Sequence, residues 1–163
     1  MPVEVSHQFE SRVRVVAYRT LLVVSLFNAL SAVGGGIGMV LADGLSMPKS
    51  LLATSPFTTF LVPGLILALV VGGTQTLASV RLLQRRPSAL LWSAVAGFGM
   101  TIWVIAEIGF IQALTWAQFI YVVSGLLQLL LVFSMLGIVS WLPREIPAPH
   151  ARPRRFGLAG QPL

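Results

Sequence analysis

The chain has 163 residues, of which 56% are hydrophobic and only 10% are charged, and it contains no cysteine. This composition excludes an ordinary soluble domain, which needs a charged surface around its core, and it indicates segments that cross a membrane. The lack of cysteine excludes disulfides, thiolate metal sites and redox-active thiol pairs.

Four long apolar segments follow one another along the chain, each with the roughly 20 residues that a bilayer-spanning helix needs. They cover residues 17–42, 57–80, 88–114 and 118–142. Because lipid offers the backbone no hydrogen-bond partners, each segment is expected to be helical. The predicted fold is therefore all-α, an integral membrane four-helix bundle. Residues 1–16 are predicted to be a cytoplasmic segment, and residues 143–163, rich in proline and arginine, a disordered basic cytoplasmic tail.

The basic residues lie almost entirely at one end of these segments. Ten of the 11 are arginines near the start of the first segment, between the second and third, or after the fourth, and only Lys49 lies at the other end. Because cationic loops stay in the cytoplasm, both termini are predicted to be cytoplasmic and both hairpin loops external. We expect a multi-pass protein of the bacterial plasma (inner) membrane whose partner is the lipid bilayer, without nucleic-acid binding.

Small residues recur at four-residue spacing, which places them on one face of a helix. Such faces let helices approach closely in lipid. The residues predicted to pack helices together are Gly34, Gly38, Gly64, Ala68, Gly72 and Gly97. The pattern favours a compact bundle, and the alternative use of the same faces is a homo-oligomer or a larger membrane complex.

Two short motifs also occur twice at an offset of 61 residues. Residues 36–39 (GIGM) correspond to residues 97–100 (GFGM), and residues 64–65 (GL) correspond to residues 125–126. This correspondence suits two helical hairpins related by a parallel repeat, an arrangement that some transporters use.

Glu107 is the only acid within the predicted membrane segments. Since burial there disfavours the charged form, an intramembrane acid is a functional hypothesis. Trp103 lies one turn away on the same face, and an aromatic wall beside a carboxyl is typical of sites for organic cations. With two residues of the fourth segment at similar depth, the candidate ligand or proton site comprises Glu107, Trp103, Tyr121 and Ser124. The alternative is a neutral Glu107 that only holds helices together by a hydrogen bond.

A second polar set lies nearer the predicted cytoplasmic side. It consists of Asn28, Thr74, Gln75 and Gln128. Hydrogen bonds between helices are the favoured role of these side chains, because amides in membranes commonly pair in this way.

The sequence lacks the patterns of the common membrane enzymes. Both histidines, His7 and His150, lie in the polar ends, so the segments contain none of the histidines that a haem-binding bundle would need. One intramembrane acid is too few for a di-metal carboxylate bundle, and neither a phosphate loop nor a nucleophile elbow is present. We therefore expect no enzyme, no catalytic residue, no metal and no cofactor.

Several short features resemble small uncharacterised four-span bacterial membrane proteins. They are Ser55-Pro56-Phe57, Pro63-Gly64, Gly72-Gly73, Gly97, the pair Trp103 and Glu107, and Gly125. The span count and the glycine-rich second segment also look distantly like DoxX-type proteins. Neither resemblance implies an activity.

Two functions follow from the sequence as hypotheses. In the first, the protein is an accessory or structural subunit that packs against a larger membrane partner. In the second, it binds or transports a small ligand or cation through an outward-facing cavity around Glu107.

Overall fold

A computed structural model describes residues 2–45, 47–111 and 115–137. Every long element of this part of the chain is a helix, and four helices are long and apolar enough to cross a membrane. They are α1 (Pro2–Leu41), α2 (Leu61–Leu83), α3 (Ala89–Ile111) and α4 (Trp116–Met135). The predicted all-α fold with four helices of membrane-spanning length is confirmed.

The helix bounds differ somewhat from the predicted segments. The 40 residues of α1 extend about 60 Å, and its apolar part begins only at Arg12. The helix therefore continues through the predicted polar N-terminal segment. α2 begins at Leu61, because the chain still bends over residues 58–60. The predicted ends of the third and fourth segments (112–114 and 138–142) and the tail 143–163 lie outside the described residues.

α2 is continuous but not uniform. Its first turn, Leu61–Leu65, and its last three turns, Gly72–Leu83, are α-helical, whereas Ile66–Val71 between them has the wider hydrogen-bond spacing of a π-helix. Each long helix packs against two neighbours: α1 and α3 both contact α2 and α4. The bundle is therefore square in section, with α1 diagonal to α3 and α2 diagonal to α4.

The two ends of the bundle differ in charge. One end, here called the basic end, has the arginines in the first turns of the Arg12–Leu41 span and those at or just after the end of α2: Arg12, Arg14, Arg19, Arg81, Arg85 and Arg86. At this end the Tyr18 hydroxyl of α1 donates to the carbonyl of Leu82 in α2. The opposite end, here called the loop end, holds the long connection from α1 to α2 and the short link from α3 to α4.

The connection at the loop end begins with a sharp turn. Asp43, Gly44 and Leu45 all have positive φ angles, and the Gly44 amide donates to the carbonyl of Met39 at 2.9 Å. Gly44 has φ of +89°, and a Cβ atom there would lie 2.3 Å from the ring of Phe60, so this turn requires glycine. A short 3₁₀ helix, Lys49–Leu52, follows.

α4 begins with a capping box. The Thr115 side chain accepts a hydrogen bond from the backbone amide of Gln118, and the Gln118 Oε1 accepts one from the Thr115 amide at 2.8 Å. These bonds satisfy amide groups that a helix otherwise leaves without a partner at its start.

Two apolar clusters fill the bundle at different depths. The basic-end cluster contains Leu21, Leu82, Ala89 and Val132. The loop-end cluster contains Ala32, Val71, Met100 and Val104, with Tyr121 and Val122 of α4 packed against it. Large apolar side chains such as Leu30 and Leu69 are 75% and 70% exposed, as expected of helix faces that contact lipid.

The hairpins α1–α2 and α3–α4 each cross at a pair of glycines. A Cβ atom on Gly36 would lie 2.6 Å from the carbonyl oxygen of Gly64 and 2.6 Å from the backbone nitrogen of Ala68. A Cβ atom on Gly97 would lie 3.4 Å from the carbonyl oxygen of Gly125. Small residues thus allow direct backbone contact at the first crossing and close packing at the second.

The two crossings use equivalent residues: each contact residue of the second hairpin lies 61 positions after its counterpart in the first, as in the repeated sequence motifs. The same three relative positions surround the second glycine of each hairpin: residues 36, 39 and 40 around Gly64, and residues 97, 100 and 101 around Gly125. This correspondence supports a parallel repeat of two helical hairpins.

The remaining small residues predicted to pack helices differ in their surroundings. A Cβ atom on Gly72 would lie 2.6 Å from the side chain of Val33, and one on Gly38 would lie 3.0 Å from Leu45 in the following turn. Gly34 is exposed, with no atom within 4 Å of its Cβ position. The packing face of α1 is thus the one that carries Gly36, because residues two apart lie nearly opposite each other on a helix.

Candidate functional site

A pocket of about 40 Å³, here called the loop-end pocket, lies where the α1–α2 connection meets α3. About 10–15 Å³ is enough for one water molecule, so the pocket has room for a small ligand group. Its lining consists of Met39, Leu51, Leu52, Ser55, Phe57, Phe60, Pro63, Trp103, Glu107 and Phe110. Glu107 is the only ionisable side chain in this lining.

The connection is held over α3 by contacts at Phe110. The Thr54 hydroxyl donates to the Phe110 carbonyl, and the ring of Phe57 meets that of Phe110 edge to face, with centroids 6.1 Å apart and planes at 81°. Nearer α1, the Lys49 Nζ lies 2.9 Å from the Asp43 Oδ2. These contacts bring the connection against the helix face that carries Glu107 and form the outer wall of the pocket.

Glu107 and Trp103 both line the pocket, as their four-residue spacing on α3 predicts. Both side chains are half-buried. Among the residues that the structure describes, no hydrogen-bond donor contacts the Glu107 carboxyl and no cation pairs with it. Lys49, the one cation at this end within the described part of the chain, pairs with Asp43 instead. Glu107 therefore lines a largely apolar pocket, and its carboxyl has no hydrogen-bond or ion-pair partner among the described residues.

Tyr121 and Ser124 lie elsewhere, so the structure divides the four candidate residues between two places. The Tyr121 ring stacks on Phe27 of α1, with centroids 6.2 Å apart. The Ser124 hydroxyl donates to the Asn28 Oδ1 at 2.9 Å. Both side chains thus contact α1, whereas Glu107 on α3 faces the connection and the start of α2.

A buried polar layer lies between the two apolar clusters. The Gln128 Oε1 accepts hydrogen bonds from the Asn28 Nδ2 at 3.3 Å and from the Gln75 Nε2 at 3.1 Å. The Gln128 Nε2 donates to the carbonyl of Ser93 at 2.9 Å, and the Gln75 Nε2 also donates to the carbonyl of Ala96 at 3.2 Å. Asn28, Gln75 and Gln128 are fully buried. All four helices are therefore joined at one level by side-chain amides.

Of the four polar residues predicted to join helices, the three amides do so and Thr74 does not. Thr74 donates to the carbonyls of Val70 and Val71 in its own helix, at 2.8 and 3.0 Å. Such a bond within a helix satisfies the hydroxyl but does not connect one helix to another.

Several pocket residues were not among the predicted site residues. Phe110 had a usable signal, because it lies three residues after Glu107 and so on the same face of α3. The residues of the connection, such as Leu51, Leu52 and Phe60, have no periodicity that indicates a pocket. They reach it because the turn at Gly44 and the contacts at Phe110 fold the connection back over the bundle.

Comparison with models of protein families, with curated proteins and with solved structures finds no match for this chain.

Proposed function

We propose that this protein binds a small organic cation in the loop-end pocket, with Glu107 as its anionic partner and Trp103 as its aromatic wall. The observation that carries the proposal is an acid that lines an apolar pocket and has no hydrogen bond or ion pair to any described residue. A charged carboxylate in apolar surroundings is stabilised by an opposite charge, which a cationic ligand would supply.

The other lining residues favour the same chemical class of ligand. Trp103 and the phenylalanines present ring faces and edges, and aromatic faces attract cations such as alkylammonium groups. The aliphatic residues Leu51 and Leu52 suit the alkyl part of such a ligand. A volume of about 40 Å³ limits the deeply bound part to a small head group.

The orientation of the protein decides which side supplies the ligand. We propose that the basic end faces the cytoplasm of a bacterial cell, since arginine-rich loops are retained there. The loop-end pocket then opens to the outside of the plasma membrane. Reporter fusions test this orientation: a fusion at Asp43 should be active outside, and one at Pro87 should be active in the cytoplasm. An external signal at Pro87 would contradict the proposed topology.

Transport is an extension of the binding proposal. If the cation and a proton compete for Glu107, alternate binding of the two would couple cation export to proton entry. The accessory-subunit hypothesis differs, because it requires of Glu107 only packing or a neutral hydrogen bond.

The binding proposal is tested by calorimetry on the full-length protein in lipid nanodiscs. The two test ligands are choline and 3,3-dimethyl-1-butanol, which have nearly the same shape and differ in charge. Wild-type protein should bind choline more tightly. Glu107→Gln should weaken choline binding by about tenfold or more, because a charge-assisted contact contributes on the order of 1.5–3 kcal/mol. Binding of the uncharged alcohol should change little.

The matched control is Asp43→Asn, which removes an acid at the same end of the bundle. Asp43 pairs with Lys49 and does not line the pocket, so choline binding should stay unchanged. Equal choline affinity in wild type and Glu107→Gln would refute the binding proposal. If Glu107→Gln is also folded and supports normal growth, the accessory role becomes the better hypothesis, and partners that co-purify with the protein would then identify it.

A further inference from the structure

Two serines in the polar layer differ from the other serines of the helices. The hydroxyls of Ser31, Ser79 and Ser134 each donate to a backbone carbonyl three or four residues earlier, at 2.7–2.8 Å. The hydroxyls of Ser25 and Ser93 have no hydrogen-bond partner among the described residues, although both residues are fully buried. A buried hydroxyl without a partner is unfavourable by about 1–3 kcal/mol, and each could have bonded to its own helix.

A third unpartnered atom lies in the same layer. The Gln75 Nε2 uses its two hydrogens for Gln128 and the carbonyl of Ala96, but the Gln75 Oε1 accepts no hydrogen bond and is buried. The layer therefore has one free acceptor on α2 and two free hydroxyls, on α1 and α3.

These three groups come from three of the four helices. The Gln75–Gln128 hydrogen bond joins the diagonal helices α2 and α4, and Ser25 and Ser93 come from the other diagonal pair, α1 and α3. Ser25 follows Leu21 of the basic-end cluster by one turn, and Ser93 follows Ala89 of the same cluster by one turn. The layer is thus shared by both hairpins and is enclosed by an apolar cluster on each side.

We propose that the polar layer binds water: one or more buried molecules that donate to the Gln75 Oε1 and accept from the hydroxyls of both Ser25 and Ser93. The unpartnered groups are one acceptor, the Gln75 Oε1, and two hydroxyls, each of which can donate. Water fits them because it can donate to the first and accept from the other two. Buried water typically makes about three hydrogen bonds to polar groups that have no other partner. The described part of the layer contains no acid, which argues against a metal cation as the occupant.

The first test compares the stability of serine variants of the full-length protein in a reversible unfolding titration with dodecyl sulfate. If water occupies the layer, Ser25→Ala and Ser93→Ala should each lower the folded-to-unfolded ratio by about fivefold, because each loses one hydrogen bond to water. If the hydroxyls have no partner, the same changes should raise the ratio, since an unsatisfied polar group is removed. The sign of the change therefore decides the question.

The matched control is Ser79→Ala. Ser79 is 2% exposed and lies near the same depth, but its hydroxyl donates to the Gln75 carbonyl in its own helix. Its removal should change the folded-to-unfolded ratio by no more than about twofold.

A second measurement detects the water directly. In nuclear magnetic resonance spectra of the protein in deuterated detergent, the side-chain amide protons of Gln75 should show cross-peaks to water, because the apolar clusters keep the molecule in place. These cross-peaks should disappear in the double variant S25A/S93A. Absence of cross-peaks in the wild type, or stabilisation by either serine variant, would overturn the proposal. A direct bond between a serine and the Gln75 Oε1 would also destabilise the variants, but it would give no water cross-peak.

Discussion

The polar layer and the loop-end pocket both contain polar side chains of the long apolar helices, but these side chains differ in their hydrogen-bond partners. In the layer, the amides of Asn28, Gln75 and Gln128 are fully buried and bonded to one another across the bundle. In the pocket, Glu107 is half-buried and has no partner among the described residues. The first arrangement joins the four helices, whereas the second leaves a carboxyl without a described partner, as the proposed cation binding requires.

This difference allows the structural role of the layer and the proposed binding role of Glu107 to be tested separately. Polar groups that bond to each other lose little by burial and connect helices, so their removal should affect folding. An acid that faces a pocket contributes little to folding, so its removal should affect binding. Variants in the two regions should therefore change different measurements.

The largest effect is expected at the crossing between the two regions. Gly36→Leu should unfold the protein or destabilise it by about 3 kcal/mol, because a side chain there would overlap the backbone of α2 at Gly64 and Ala68. The dodecyl sulfate titration measures the loss. Gly34→Leu is the matched control on the same helix and should be tolerated, since no atom lies within 4 Å of that Cβ position. Equal loss in both variants would contradict the assigned packing face.

The next effect tests the polar layer. Gln128→Leu should destabilise the bundle by about 2 kcal/mol, because Asn28, Gln75 and the Ser93 carbonyl each lose a partner, and hydrogen bonds between membrane helices contribute about 0.6 kcal/mol on average and at most about 1.7. Choline affinity of the folded fraction should stay unchanged. Gln84→Leu, an exposed position after α2, is the control for loss of an amide. A stabilised Gln128→Leu variant would refute the structural role of the layer.

The smallest effect tests the aromatic wall of the pocket. Trp103→Leu should weaken choline binding by about two- to fivefold, which corresponds to a cation–π contribution of about 0.5–1 kcal/mol. Calorimetry measures the affinity, and the stability should change less than in Gln128→Leu. Trp116→Leu removes a tryptophan that is 78% exposed at the same end of the bundle, and it should leave the affinity unchanged. If both variants bind choline like wild type, Trp103 does not contact the ligand.

Part of the candidate site was predictable because it lies on one helix. Trp103 and Glu107 share a face at a spacing of four residues, and the structure brings both to the pocket. Tyr121 and Ser124 were assigned to the same site by depth alone. Depth follows from residue number, but the direction of each side chain depends on how α4 is rotated against α1, which no local pattern indicates.

The packing of the helices shows the same limit. Spacing of four residues identified Gly64, Gly72 and Gly97 as small residues on helix faces, and these three lie at contacts. On α1 the spacing indicated Gly34, whereas Gly36 makes the contact with α2. A run of three glycines offers several faces, and only the neighbouring helix selects one of them. At the offset of 61 residues Gly36 corresponds to Gly97, and the structure places both glycines at a helix crossing.

By itself the sequence determined that the protein has four apolar helices, because backbone groups in lipid must bond within their own segment and so local hydrophobicity is sufficient. It also determined which residues share a helix face, because helical spacing is local. Only the tertiary structure decided that the connection after α1 folds over Glu107 and that Asn28, Gln75 and Gln128 meet at one level. Those contacts join residues far apart in the chain, and they depend on the rotation and crossing of whole helices.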